Sequence, residues 1–336
     1  FTIDVSAAGI AALDGPTDIT FDVATLTNQT TITGLTGTWD DVHAVHTQAT
    51  VHATHGVAAA TIDGIGTLPV TLTDTSVSVE NIEDLVTNHT LGAITATVAD
   101  TDMATLVTLT DVANSAYAVT VNDSSITAAN LITLNTLTDT AITVNSSTVT
   151  GTRANVNTVL GYATTVATGL DDIDATVSDA STVDEINATA ALTTGSITAT
   201  ISNNDVATLS GLHETGNVYT ISITDGTVSA AAVNAINAKT DGVITLTSTN
   251  VTGALTDIKA LYDANTAGTV TGLGNEALTI SDTGSITSED LNDLNILTTG
   301  VVTVTNVTTV EGTLSELLSS YSESNIAGVI SGLSDE

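Results

Sequence analysis

Cysteine is absent from the 336 residues, and only Arg153, Lys239 and Lys259 stand against 38 acids. The first absence excludes disulfides, thiolate metal sites and cysteine nucleophiles. The second gives a formal net charge of −35. Nucleic acid and anionic membrane are therefore poor partners, because phosphate recognition runs on Lys and Arg. Charged residues are 12% of the chain, about half the ordinary share. The imbalance thus comes from missing base, not from a surplus of acid. Proline occurs only at Pro16 and Pro69, and no Gly/Ser tract marks a linker. Aromatics are 2% of the chain, with one Trp, Trp39. A thick globular core is normally filled with rings, so thin layers of aliphatic side chains are expected instead. No apolar run reaches the length needed to cross a bilayer, so no membrane insertion is expected. No signal peptide is recognisable and the chain begins at Phe1, which reads as a mature product or a slice of something longer.

What is present is threonine, 71 residues of it, with Val, Ile and Ala. Runs such as "VVTVT", "ITLTS" and "YTISI" are short and β-branched and read as strands. The passage "LTISDTGSITSEDLNDLNILTTG" at Leu278–Gly300 has a close relative, "LTDTSVSVENIEDLVTNHTLG", at Leu72–Gly92. The same landmarks recur between them: Asp225, Val228, Val233, Ile236 and Gly242; Asp179, Ile186, Leu192 and Gly195; Asp123, Ile126, Leu131 and Leu134. A second module reads "GTWDDVHAV" at Gly37, "GTRANVNTV" at Gly151, "GALTDIKAL" at Gly253 and "GTLSELLSS" at Gly312. "ADTDMATL" at Ala99 and "SNNDVATL" at Ser202 fill the corresponding gaps. The double unit is about 102 residues. It divides the chain into approximate units 1–92, 93–195 and 196–300 and a partial unit 301–336.

Each module has one grammar. A strand is followed by a Thr, Ser, Asp or Asn able to cap a helix. Aliphatics three apart then give one face of a helix of about two turns. A Gly turn returns the chain to the next strand. One copy of about 25 residues cannot bury its own apolar face, but stacked copies can. The fold class predicted is a repeat solenoid, an elongated, β-helix-like α/β array of parallel strands and short helices. Its 336 residues form a single array, and two or three compact α/β sub-domains in series are the alternative. Leu291 and Leu294 should point inward, as should Val233 with Ile236 and Leu131 with Leu134. Thr287 should be exposed.

The passages "VTGLGNEALTISDTGSITSEDLNDLNILTTGVVTV" and "VTTVEGTLSELLSSY" resemble the Thr/Asp-rich tandem repeats of very large cell-surface proteins, as in cyanobacteria. The resemblance runs from about Leu72 onward. It implies an extracellular, multi-copy, structural or adhesive role and carries no catalytic residues. The glycine-rich nonapeptide of calcium-binding β-rolls is absent.

Two sets of side chains are candidates for binding. Asp74, Asp123, Asp179, Asp225 and Asp282 would form a column if the repeats stack in register, and a column of carboxylates repels itself unless a hard cation such as calcium bridges it. The competing reading is that each Asp caps its own turn or helix. Neighbouring pairs, Asp171 with Asp172 and Glu289 with Asp290, could also attract calcium. His43, His46, His52 and His55 fall in "DDVHAVHTQATVHATH" beside Asp40 and Asp41, a donor set suited to zinc or a similar transition metal. Alignment of the modules instead places His46 half-packed and His43 toward solvent. The Thr registers change from copy to copy, which argues against a flat ice-binding face. Asn-x-Ser/Thr triplets are no commoner than chance. No HExxH, nucleophile elbow, phosphate loop or dinucleotide fingerprint occurs. The function expected is a non-enzymatic structural protein of an extracellular filament, surface layer or giant adhesin, stabilised by stacking and by divalent cations. The alternative is a module binding glycan or metal through one face. Self-association head to tail, or continuation in a longer chain, is the expected partnership, with Phe1–Val5 and Gly328–Leu333 at the contacts.

Overall fold

The computed structural model describes residues 21–22, 34–45, 62–63, 68–88, 92–112, 114–162, 164–213, 215–324 and 329–333. His46, His52, His55, Phe1–Val5 and Gly328 lie outside them. The chain divides into two units, Phe1–Ile173 and Asp174–Glu336.

In the first unit every described strand pair is parallel, and each strand bonds to a strand about one repeat further on. One ladder runs through Leu35–Gly37, Val70–Leu72, Ile94–Thr97 and Ala116–Ala118. A second joins Thr120–Val121, Ile142–Val144 and Ala167–Thr168. A third pairs Ser125–Thr127 with Thr148–Gly151. The helices are one at 39–45, α1 (Val79–Asn88), α2 (Met103–Leu106), α3 (Ala128–Asn135) and α4 (Arg153–Leu160).

The second unit repeats the scheme. One ladder takes in Asp174–Val177, Ile197–Thr200, Val218–Ile223, Ile244–Leu246 and Val270–Thr271. Another runs from Thr227–Ser229 through Asn250–Gly253, Ala277–Ile280 and Val302–Val304 to Ile330–Ser331. Gly284–Thr287 pairs with Val307–Glu311. Between strands lie α5 (Val183–Ala190), α6 (Val206–Leu209), α7 (Ala230–Asn237), α8 (Leu255–Ala267), α9 (Ser288–Asn295) and α10 (Leu314–Ser324). The architecture is a repeating α/β one of parallel strands alternating with short helices.

Two details differ from the sequence expectation. The grammar assigned one strand to each copy, whereas several copies carry two, as Thr120–Val121 and Ser125–Thr127 do across the corner Asn122–Ser124. The second strand is too short for its alternation to register in the sequence. Ile126, the buried centre of "SIT", is its single apolar signal. Thr287 is exposed as expected, but it is not idle. Its hydroxyl accepts the Asp290 amide at 3.1 Å as the N-cap of α9.

The core follows the helical phase read from the sequence. Leu131, Leu134, Val233, Ile236, Leu291 and Leu294 are all buried. The Thr/Gly close of each copy has a structural reason. The Thr240 hydroxyl accepts the Tyr219 amide at 2.8 Å and the Gly242 amide at 2.9 Å. Thr138 serves Tyr117 in the same way at 2.9 Å. Each Thr thereby satisfies a strand amide one repeat back, where an unmet donor would be costly. Gly242 and Gly300 are required because a Cβ would collide with the carbonyls of Tyr219 and Glu276.

Truncating Leu294 to Ala should cost about 2–4 kcal/mol by cavity formation. Thr287→Ala should cost about 1 kcal/mol through loss of the cap. Equal losses in denaturant titration would show that the inward phase of α9 is wrong.

Candidate functional site

A short helix leaves four N-terminal amides without partners inside the helix. Here two sources fill them. The helix's own N-cap accepts from the third residue: Asp102 from Thr105 at 2.9 Å, Asp205 from Thr208 at 2.8 Å, Thr127 from Asn130 at 3.2 Å. The first residue's amide is met from the next repeat. Trp39 donates to Asp74 Oδ2 at 2.6 Å, and Val79 to Asp100 Oδ2 at 2.7 Å. Met103 donates to Asp123, Val206 to Asp225 and Leu255 to Asp282, each at 2.7 Å. Val183 donates to Asn203 Oδ1 at 2.9 Å. The helix N-terminus carries partial positive charge, so a carboxylate is favoured there. All six accepting side chains are half-buried.

Four of the five carboxylates assigned to a column, Asp74, Asp123, Asp225 and Asp282, thus cap a helix. It is the helix of the preceding repeat, not their own. Asp179 stands apart as an exposed residue whose carbonyl accepts the Ser181 hydroxyl at 3.4 Å. Asp100 and Asn203 perform the same capping and were not singled out from the sequence. Their signal was position, since each lies just beyond a strand, as Asp74 and Asp225 do.

In six of the helices the fifth residue makes a second link forward. His43 Nε2 lies 3.2 Å from Asp84. Glu83 accepts the Thr110 amide at 2.6 Å. The amides of Asn187, Asn234 and Asn292 donate to the carbonyls of Gly211, Asp257 and Glu316 at 2.8, 2.9 and 3.3 Å. Lys259 Nζ lies 2.8 Å from Asp290 and 3.7 Å from Asp293. That ammonium, followed by the Thr287 hydroxyl, holds Asp290 below its ordinary value, and Asp290 raises Lys259 in return. Both partners are about a third exposed, so the pair is worth at most about 1 kcal/mol.

Of the histidines, only His43 can be placed relative to the predicted metal set. Its ring stacks on Trp39 at 4.7 Å between centroids, and the Trp39 indole donates to the Asn81 carbonyl at 2.8 Å. His43 is therefore part of a contact between the helix at 39–45 and α1, not directed freely to solvent. Among the described residues, no group of three or more His, Cys, Asp or Glu side chains is arranged to hold a metal ion.

Two clefts lie in the second unit. One is lined by Ala190, Thr193, Thr194, Ser196, Thr215 and Asn217. The other is lined by Thr245, Thr247, Ser248, Thr249, Gly272 and Asn275. They offer hydroxyls and amides but no carboxylate, imidazole or amine for proton transfer. Tyr117, Tyr219 and Tyr262 are buried, whereas Trp39, Tyr162 and Tyr321 are half-buried. The Tyr262 hydroxyl donates to the buried carboxylate of Glu276, which also accepts the Gly274 and Asn275 amides at 2.8 and 3.0 Å. Desolvation pushes the Tyr117 phenol up to about 12, and its hydroxyl donates to the Thr110 carbonyl at 3.0 Å. No protein-family model, curated protein or solved structure matches this chain.

Asp225→Ala should cost about 1–2 kcal/mol by stripping the cap from α6. Asp225→Asn, which keeps an acceptor as Asn203 does, should cost less. Asp263→Ala, on the exposed side of α8, should stay within about 0.5 kcal/mol. Chemical denaturation of the three variants checks the order, and equal stabilities for Asp225→Ala and wild type would remove the inter-repeat cap from the account.

Ionisation adds a pH signature at each end of the scale. Tyr117 has a folded pKa above its unfolded value, so its contribution is complete below pH 10 and is lost as pH rises toward 12. Tyr117→Phe should flatten the alkaline fall in melting temperature, and an unchanged alkaline limb would contradict the buried phenol. Asp102, Asp205 and Asp290 are held below the ordinary carboxylate value by their hydrogen bonds. Their contributions are present above 3.8 and lost as pH falls through the lowered values.

Proposed function

We propose that the chain is a non-enzymatic structural protein, a parallel α/β solenoid whose coils of about 25 residues stack into an elongated element of an extracellular filament, surface layer or large adhesin. The observation that carries this reading is the forward capping. At six helices among the described residues the next repeat supplies the side chain that completes the N-terminus, and at Tyr117 and Tyr219 it completes a strand amide. Copies that finish their neighbours in this way are suited to stacking. The two clefts described in the second unit are lined without a titratable side chain. The near absence of Lys and Arg leaves few tryptic sites, which suits an extracellular setting. No helix among the described residues is long and apolar enough to cross a membrane.

The glycan-binding alternative would draw support from fully exposed rings at loops; Tyr117, Tyr219 and Tyr262 are buried, and Trp39, Tyr162 and Tyr321 are half-buried, which weakens that support. The calcium column and the capping role compete for the same carboxylates. Four of the five already accept amides, which favours capping as the source of order.

Location tests the structural role directly. Antibody raised against this chain should label intact cells of its source, and labelling only after permeabilisation would overturn the extracellular assignment. Capping and calcium also part company in a melting experiment. With capping dominant, calcium and sodium at matched ionic strength should give the same melting temperature, since only screening differs from water. A clear advantage for calcium, reversed by chelation, would restore the cation column.

A further inference from the structure

Side chains that reach from one repeat to a backbone amide of another do so unevenly. Among the described residues, ten such amides are met by the repeat that follows, five in each unit. Six of them open the helices described above. The other four lie in strands: Ile94 donates to Ser115, Tyr117 to Thr138, Ile197 to Asn217 and Tyr219 to Thr240. Three amides are met from the repeat before: Thr110 by Glu83, Ser196 by Asp174 and His213 by Asn187, at 2.6, 2.8 and 3.2 Å. Burial separates the two sets. The three bonds from the repeat before are all exposed. The four strand bonds are buried, with acceptors no more than 7% exposed, and the six at helix N-termini are half-buried.

An exposed amide that loses its acceptor turns to water, whereas a buried one stays unmet at a cost. Apolar contact and the strand ladders are mutual, since each neighbour serves the other. The buried side-chain bonds are not. Opening a repeat leaves buried donors unmet in the repeat before it, but only exposed ones in the repeat after it. The Asn187, Asn234 and Asn292 side chains do reach the other way, yet they end on carbonyls, which tolerate a missing partner better than amides do. We propose that the array is polar in its stability: each repeat locks the one before it, so local opening passes toward the N-terminus and not toward the C-terminus. A chain is made from its N-terminus, so a repeat closes fully only when its successor has emerged and supplied the acceptors. Their fixed positions also select the register in which the two copies stack. The inference goes beyond the proposed role. It needs only the parallel ladders and holds wherever the protein resides.

Hydrogen–deuterium exchange of the full chain, read segment by segment by mass spectrometry, tests the direction. Asp225→Ala should speed exchange about fivefold or more in α6, which it caps, and leave α7 on its other side within about twofold of wild type. Asp282→Ala should do the same to α8 relative to α9, and it carries the comparison if Asp225→Ala does not fold. Asp225→Asn keeps an acceptor and should return α6 toward wild type. Asp174→Ala frees the exposed Ser196 amide and should leave Ile197–Thr200 within about twofold of wild type. Equal rises on the two sides of Asp225 and Asp282 overturn the proposal, as does a rise confined to the C-terminal side or no rise on either. It also fails if Asp174→Ala opens Ile197–Thr200 as much as Asp225→Ala opens α6.

Discussion

The amide of the first residue of a helix is a small thing on which much of this structure depends. Several helices have eight residues and two have four. In isolation such helices are unstable, because nucleation costs more than so few hydrogen bonds return. Four free amides in eight residues also leave half of the backbone donors unmet at one end. The carboxylate of the next repeat removes the worst of these deficits at Val79, Met103, Val206 and Leu255. The helix is then a product of the stack as much as of its own residues. The same logic holds at the strands, where Thr138 and Thr240 complete the amides of Tyr117 and Tyr219 from one repeat further on.

This constraint gives some of the acids a structural role. A protein with 38 acids and three bases would ordinarily lack counter-charges for its carboxylates. Here helix N-termini stand in for cations, offering amides and partial positive charge at fixed points. Among the described residues, six helices receive such a side chain, five of them a carboxylate and one the neutral Asn203. The Asn shows that the hydrogen bond is the shared element and that the charge adds to it. Lys259 uses a side-chain cation instead, at the fifth helix position, where Asn234 and Asn292 use amides.

Binding chemistry has little room in this arrangement. Among the described residues, Tyr117, Tyr219 and Tyr262 lie in the core, and polar side chains such as Asn187 and Asn234 are paired along the seam between repeats. His43 illustrates the point. It is the residue type most often recruited for metal or proton transfer, and it is held between Trp39 and Asp84. Repetition has been used for continuity between neighbours, and the proposed structural role follows from that use.

Much of this was legible in the sequence. The recurrence of Leu131 with Leu134, Val233 with Ile236 and Leu291 with Leu294 is a local period of three, and a local period survives folding because the same helix face is buried in every copy. The Thr/Gly close was visible as a pattern, and the chain alternates strand and helix as its β-branched runs and caps require. The second short strand carried by several copies was hidden, since three residues around Ile126 carry no periodicity. The partners of the aspartates were hidden as well. Asp74 is 35 residues from the amide it accepts and Asp282 is 27. A carboxylate beside a turn looks the same in sequence whether it caps its own helix or another. Only the tertiary structure decides, because the parallel register sets which helix N-terminus lies opposite each strand end. The amino-acid sequence by itself determined that the copies would stack; the packing of one copy on the next determined what each acid is for.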